Sequence, residues 1–283
     1  MDAGDTYWPS GRVGFQAVLF PPSMFGVALL LGSIYSGITF IVPRSVATFL
    51  PFVTVTVASF AASFTMGLLR SFNVRNATFC FVAGIYAGIC LLYISWVTFL
   101  ALEHGLPRYL DLLTDPGLVW EGVVSVSEET RFEIIGLSLP AWLRWGIWTL
   151  EALTFVGVCT GGGWFALDGH VYCEDCDRWA EKTEDFLKLT AIDPDEAASA
   201  FKRGEFRGFE RANEGEREIL RLDIWKCAVC ENTIVASLRT AELDESDEGE
   251  QPYGVGDLIV CDLIISPRDF ARLSSLRRES QGA

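Results

Sequence analysis

Long apolar runs fill most of the first 167 residues and constrain the fold of this chain more than any other feature. Four of them reach the length of about 20 residues that a helix needs to cross a bilayer. They cover residues 24–43, 46–69, 78–102 and 141–167, and the first three contain no Asp, Glu, Lys or Arg. The pattern predicts a mostly helical membrane protein, with a four-helix transmembrane bundle in residues 1–167.

A shorter apolar run, residues 13–20, precedes the first span and ends at Pro21-Pro22. It is too short to cross a bilayer, so we expect it to lie in the interface or to pack against the first span. The N-terminus is acidic, with Asp2 and Asp5 where a signal peptide carries basic residues. We therefore expect the first span to be retained as an anchor.

Acidic residues are concentrated behind the spans. Residues 168–283 hold most of the 37 Asp and Glu residues and most of the net charge of −15. The phosphate backbone of nucleic acids repels such a domain, which excludes nucleic acid as a partner class. An anionic leaflet repels it as well, so we expect the domain to stand off the lipid surface.

The charges between the spans predict the orientation in the membrane. The side of both termini holds Arg12, Arg70 and Arg75, followed by Arg178 and Lys182. The other side holds Arg44 and a loop over residues 103–140 that carries Arg108 and Arg131 but is dominated by seven acids: Glu103, Asp111, Asp115, Glu121, Glu128, Glu129 and Glu133. Because basic loops stay inside, the bias predicts a cell-membrane protein whose second domain, residues 168–283, is cytoplasmic.

Two Cys-x-x-Cys pairs, Cys173/Cys176 and Cys227/Cys230, lie in polar, turn-like surroundings. Thiols stay reduced in the cytoplasm, and two such turns can surround one metal ion with four thiolates. We therefore predict one metal bound by all four residues. The remaining cysteines lie in apolar stretches and are expected to behave as small hydrophobic side chains: Cys80, Cys90, Cys159 and Cys261.

The two turns resemble the zinc knuckles of the zinc-ribbon class, and the resemblance covers only the turns and the strands beside the second one. It implies a small α+β domain with structural zinc. About fifty residues separate the pairs, against a usual gap of about 15–20, so we predict a helical insertion over residues 177–216. A rubredoxin-like iron and a thiol redox pair stay open as alternatives. His170 is a spare ligand.

Capping and alternation predict the other elements of the second domain. We expect a helix over residues 179–189, and another that begins at the N-cap Asp193 and ends at Gly204. A final helix begins at the cap Ser266. Residues 244–250 are predicted to form an acidic, solvated loop. Three strands are predicted over residues 219–225, 233–238 and 258–265.

The loop over residues 103–140 is long enough for structure of its own. Residues 123–127 and 132–135 are rich in β-branched residues and predict a hairpin, and residues 106–113 predict an interfacial helix. His104 is the only histidine here, and no nucleophile and base converge in the sequence. The pattern therefore favours a protein that is not an enzyme.

The fourth apolar run carries the polar residues that the other runs lack. Trp142, Trp145 and Trp148 recur every third residue, as in an interfacial aromatic belt. Glu151 is the only carboxylate well inside a span, and Arg144 lies two turns before it on the same face. An ionisable residue at such depth is a candidate ion or proton site. The alternative is an interfacial acid that pairs with Arg144 or reaches water.

Small residues recur at four-residue spacing in the spans, at Gly84/Gly88, Gly157/Gly161 and Ser59/Ser63/Gly67. This spacing lets helix backbones approach closely. The favoured interpretation is packing within one bundle, and the alternative is a seam between two copies in a homo-oligomer.

Three functional hypotheses follow. The first is a non-enzymatic interaction or regulatory module, anchored in the lipid bilayer, with zinc as a staple for its small cytoplasmic domain and a protein partner for that domain. The second is a small transporter or channel that uses Glu151. The third is a membrane enzyme with a site on residues 103–140. The first is favoured, because the spans offer few polar groups and no catalytic set is visible.

Overall fold

The computed structural model describes residues 5–41, 49–128, 140–206, 209–213, 216–230, 232–243 and 256–278, with the backbone of 133–134 and 137–138. The chain divides into two compact units. One contains Ser10–Asp168, and the other contains Gly169–Ala283 together with the N-terminal Met1–Pro9. No feature of the sequence indicated that the N-terminal segment belongs to the second unit.

The first unit is helical. A 3₁₀ turn, Phe15–Leu19, runs directly into the first α-helix. The α-helices of its described residues are α1 (Phe20–Ile41), α2 (Leu50–Ser71), α3 (Ala77–His104), α4 (Tyr109–Thr114), α5 (Pro116–Glu128) and α6 (Ala141–Trp164). In the described part of the chain, three helical stretches are long and apolar enough to cross a membrane: Phe15–Ile41, Leu50–Ser71 and Ala77–His104. The expectation of a mostly helical unit with apolar helices of spanning length is confirmed for these three stretches.

The prediction that Pro21-Pro22 ends the first apolar run is wrong. Both prolines lie in the first turn of α1, and the helix continues from the 3₁₀ turn through them to Ile41. Proline is tolerated there because the first backbone N–H groups of a helix have no partner within the helix. The first apolar stretch is therefore longer than the sequence pattern indicated.

Helix α3 is the centre of the first unit and packs against α1, α2 and α6. Gly84 and Gly88 lie directly against the backbone of α6. A Cβ atom at Gly84 would lie 2.6 Å from the carbonyl oxygen of Cys159, and one at Gly88 would lie 2.5 Å from the Cα atom of Val156. Close helix approach through small residues is typical of membrane bundles, so this pair serves packing within one chain.

The predicted strand over residues 123–127 is wrong, because these residues form the last turns of α5. Their β-branched side chains favour strands locally, but Val119, Val123 and Val126 recur at helical spacing. All three are buried and pack with Leu100 of α3. Residues 133–134 and 137–138 do form a short antiparallel hairpin, while residues 132 and 135 lie outside the described chain.

Tryptophan rings connect the helices at the start of α6. Trp145 lies 5.7 Å from Trp120 of α5, and Trp148 lies 4.9 Å from Trp96 of α3, between ring centroids. Trp142 is 73% exposed. Only Trp142 therefore faces outward as a belt residue would, and its two neighbours pack between helices.

The second unit is an α+β fold around one antiparallel sheet. The hairpin of the first unit consists of β1 (Glu133–Ile134) and β2 (Leu137–Ser138). The elements of the second unit in chain order are β3 (Tyr172–Cys173), β4 (Arg178–Trp179), β5 (Glu181–Thr190), α7 (Pro194–Lys202), β6 (Glu218–Lys226), β7 (Ile234–Glu242), β8 (Leu258–Ile264) and α8 (Pro267–Arg278). The four strands of the sheet lie in the order β5-β6-β7-β8, and a separate hairpin, β3 with β4, precedes them. The three strands predicted around and behind the second cysteine pair are confirmed.

The helix predicted over residues 179–189 is wrong, because this segment is mostly the ten-residue strand β5. The described part of the predicted helical insertion, residues 177–216, therefore contains β4 and β5 in addition to the helix α7. Leu187 and Leu189 pair with Leu222 and Leu220 of β6 and enter the core of the sheet. A bulge interrupts the register between Thr183 and Leu187 and breaks the alternation by which a strand is recognised in sequence.

Both predicted helix caps are confirmed. The Asp193 carboxylate accepts hydrogen bonds from the N–H groups of Asp195 and Glu196, and the Ser266 hydroxyl accepts one from the N–H of Asp269. Gly204 follows α7 with a φ of +68°, in the left-handed region where glycine is favoured. The predicted acidic loop over residues 244–250 lies outside the described residues.

Candidate metal centre

The four paired cysteines meet in the second unit. Their sulfur atoms all lie within 4.8 Å of one another, and none of the eight cysteines forms a disulfide. The Sγ atoms of Cys173 and Cys230 are 3.5 Å apart. A tetrahedral metal site with bonds of about 2.3 Å to sulfur needs sulfur separations of about 3.8 Å. The cluster therefore has the dimensions of a four-thiolate metal site.

Each pair of cysteines lies at the turn of an antiparallel hairpin. The first pair is carried by β3 and β4, in which Cys173 lies opposite Arg178. The second pair follows the last residue of β6 and precedes β7. Hairpin turns hold two side chains on one side at a fixed spacing, so two such turns can supply four ligands to one ion.

Hydrogen bonds hold the second turn against the first. The Cys227 N–H donates to the Thr233 carbonyl over 3.1 Å, which closes the turn. The Thr233 hydroxyl donates to the Sγ atom of Cys173 over 3.2 Å, which connects the two turns directly. Cys173 and Cys227 are fully buried, while Cys176 and Cys230 are partly exposed. A bound ion would lie at the edge of the unit and not in its core.

The surroundings shift the pKa of the Cys173 thiol in the first turn and those of the two thiols in the second turn in opposite directions. Burial raises the pKa of the Cys173 thiol. Burial acts in the same direction on Cys227, but the N–H groups of Cys230 and Val229 point at its sulfur and, with neighbouring thiols, lower its pKa to about 6. The pKa of Cys230 is lowered by the N–H group of Asn232. The second turn thus favours thiolates, the form that binds metal, and metal affinity should fall as pH falls.

A second anchor for the first turn comes from the N-terminus. Tyr7 is buried with Val171, Ala180, Trp225 and Val235, and its hydroxyl accepts a 2.9 Å hydrogen bond from the N–H of Tyr172. The sequence offers no signal for this contact, because 165 residues separate the two tyrosines.

His170 is not a member of the sulfur cluster. Its ring packs edge-on against Trp179, with the ring centroids 6.1 Å apart. The spare-ligand role therefore has no geometric support in this structure.

The polar pair predicted in α6 has a different arrangement. The Tyr35 hydroxyl of α1 donates a 2.7 Å hydrogen bond to the Glu151 carboxylate. The same hydroxyl lies 3.1 Å from the hydroxyl oxygen of Thr54 in α2. Arg144 is buried on the same helix, α6. It lies seven residues before Glu151, which is two helical turns at a rise of about 1.5 Å per residue. The structure thus joins Glu151 to two other helices through Tyr35. The sequence did not indicate this partner, because Tyr35 carries no charge.

The described part of the loop over residues 103–140 assembles no catalytic set. Its buried side chains, from α4 and α5, are apolar except Ser127, whose hydroxyl donates to the Val124 carbonyl, whereas His104, Asp111, Glu121 and Glu128 are exposed.

Comparison with protein-family models, with curated proteins and with solved structures gives no match for this chain. The sulfur cluster is compatible with a zinc site, but no class of protein is named by likeness. The function is therefore inferred from the site and the fold alone.

Proposed function

We propose that this chain is a multi-pass membrane protein whose second unit is a zinc-stapled module with a non-enzymatic interaction or regulatory role. The observation that carries the proposal is the four-sulfur cluster, in a chain that also has three helices able to span a membrane. Four cysteine ligands close the coordination sphere, whereas catalytic zinc sites keep one position open for water or substrate. The metal then acts on folding and not on a substrate.

Metal analysis of the purified, full-length protein tests this proposal. We expect about one zinc per chain after purification in reducing buffer, because thiolates in a closed tetrahedral site suit zinc. Iron in place of zinc would support the rubredoxin-like alternative. Less than half an equivalent of any metal would overturn the metal site.

The N-terminal segment supports a fourth crossing by α6. Thr6 bridges to Leu263 at the edge of β8, so the chain leaves the second unit before α1 and returns to it after α6. An odd number of crossings would put those two points on opposite sides of the membrane. Three described stretches are long and apolar enough to cross a membrane, and α6 supplies the fourth crossing. Its 24 residues make a helix of about 36 Å, against a hydrocarbon core of about 30 Å.

This proposal predicts the sidedness of two sites. A reporter fused behind Ala283 should be cytoplasmic, and a tag inserted at Asp115 should be accessible only from outside, since an even number of crossings separates the ends and an odd number separates Asp115 from either. The measurement is protease protection and impermeant labelling in intact cells. A tag fused ahead of Met1 is the control, because it must share the side of the C-terminal reporter. Labelling of Asp115 and Ala283 from the same side would contradict the fourth span.

A transporter or channel is the second candidate, favoured by one observation. The Tyr35, Thr54 and Glu151 side chains form a polar contact across α1, α2 and α6, next to Phe155 of the apolar core, on which the Tyr35 ring packs edge-on. An ionisable group in a bilayer is retained for a functional or structural reason. We rank this below the zinc-stapled module, because one carboxylate and two hydroxyls do not make a pathway.

The Glu151→Gln variant separates the two candidates. The amide oxygen can still accept the Tyr35 hydroxyl, so we expect a change below about 0.5 kcal/mol in the free energy of unfolding, as for a substitution that keeps the hydrogen bond. The measurements are thermal unfolding in detergent and proton or cation flux into liposomes. Tyr35→Phe is the matched variant, since it removes the donor and keeps the carboxylate. Flux in the wild type that Glu151→Gln abolishes, with normal folding, would establish the transporter.

A further inference from the structure

Residues 5–9, here named the N-terminal clasp, extend the sheet of the second unit. The N–H of Tyr7 donates to the Asp262 carbonyl over 2.6 Å, and the N–H of Ile264 donates to the Asp5 carbonyl over 2.9 Å. Tyr7 is only 4% exposed, while its neighbour Trp8 is 74% exposed. Tyr7 both pairs with the edge of the sheet and buries its side chain, so the clasp is attached to the second unit at Tyr7.

The Tyr7 hydroxyl completes the hydrogen bonding of the metal-binding hairpin. Within that hairpin, the bond next to Tyr172 runs from the N–H of Ala180 to the carbonyl of Val171. The N–H of Tyr172 donates instead to the Tyr7 hydroxyl over 2.9 Å. Tyr172 is 1% exposed, so without the hydroxyl this N–H would lose its partner in a place that water does not reach.

Tyr172 stands directly before the ligand Cys173. Its own hydroxyl donates to the Asp177 carboxylate over 2.6 Å, across the turn that contains Cys176. Its backbone therefore fixes where the first turn begins, and its side chain spans that turn. A displaced Tyr172 would move both sulfurs of the first pair relative to those of the second.

We infer that Tyr7 is a positioning residue for the metal site, and that the site reaches full affinity only when the N-terminal clasp is bound to the sheet. The inference rests on the proposed metal site. Residues that hold metal ligands in place through hydrogen bonds commonly change metal affinity by about 10–100-fold when they are replaced. Coupling is reciprocal, so metal binding must also tighten the clasp.

Tyr7→Phe tests the inference in the full-length protein in detergent micelles. The ring and its packing remain, and only the hydroxyl is lost. We expect zinc affinity, measured by competition with a chelator, to fall about tenfold, because the buried Tyr172 N–H loses the hydroxyl that it bonds in the wild type. We also expect an altered visible absorption spectrum of the Co²⁺-substituted protein, which reports the geometry of the four sulfurs. Trp8→Phe is the control, because it alters an exposed ring in the same clasp.

Hydrogen exchange in the zinc-loaded protein reports on the clasp itself. The Tyr7 and Ile264 N–H groups should exchange slowly in the wild type and faster in Tyr7→Phe. Zinc affinity within twofold of the wild type and an unchanged cobalt spectrum in Tyr7→Phe would overturn the inference while leaving the metal site intact. A wild-type protein that binds no metal would overturn both.

Discussion

Replacing Cys227 by serine is expected to remove the metal and unfold the second unit together. Structural zinc supplies about 10–16 kcal/mol of apparent binding free energy in small domains, comparable to the entire stability of about 5–15 kcal/mol of a typical domain. Cys227 is fully buried and has the thiol whose pKa is lowered to about 6, so serine there removes a favoured ligand. The measurements are metal content, and protease resistance of the second unit.

Cys261→Ser is the matched control for this variant. Cys261 lies on β8 in the same unit but is exposed and outside the sulfur cluster. We expect wild-type metal content and wild-type protease resistance. Loss of metal in Cys261→Ser, or a Cys227→Ser protein that keeps a full equivalent of zinc and its fold, would contradict the assignment of the ligands.

Replacing Gly88 by leucine is expected to disrupt the packing of α3 against α6. The first added carbon atom would already lie 2.5 Å from the Cα atom of Val156 and 2.9 Å from the carbonyl oxygen of Phe155. These are backbone atoms, which cannot move aside as a flexible side chain can. Overpacking of this kind costs about 1–3 kcal/mol and more where the backbone must shift. We expect a large fall in thermal stability in detergent, or no folded protein.

Gly157→Leu provides the comparison, because Gly157 lies on α6 with no atom within 4 Å of an added Cβ. Leucine is a good helix former, so we expect stability equal to the wild type or slightly higher. Equal losses of thermal stability in both variants would show that leucine destabilises the bundle at either glycine. The close contact of Gly88 with α6 would then not explain the loss.

Much of this architecture is readable from the sequence, because the signals are local. Apolar runs without charges predict the three long helices, since a bilayer requires about 20 such residues in succession. The Asp193 and Ser266 caps are also local, because a cap side chain bonds N–H groups two or three residues ahead. The four cysteines of the cluster are recognisable as candidate ligands by residue type and spacing alone. Their meeting within 4.8 Å agrees with the spacing argument.

The tertiary structure decided the elements whose local signals conflict. Residues 123–127 are β-branched yet helical, because packing of Val119, Val123 and Val126 against α3 outweighs a weak strand preference. The segment after Trp179 is a strand, because pairing with β6 places Leu187 and Leu189 in the core and a bulge hides the alternation. The hydrophobic periodicity of β5 contains no information about its partner β6, which follows some thirty residues later.

The most informative contacts lie between residues far apart in the chain. Tyr7 meets Tyr172 across 165 residues, and Tyr35 meets Glu151 across 116. Neither contact has a sequence signature, because a tyrosine hydroxyl suits many partners and the folded chain selects one by position. The sequence by itself determined the apolar helices, the caps and the four cysteines that cluster. Only the folded structure decided which hydroxyl satisfies the buried backbone beside those cysteines, since that depends on which distant segments share one edge of the sheet.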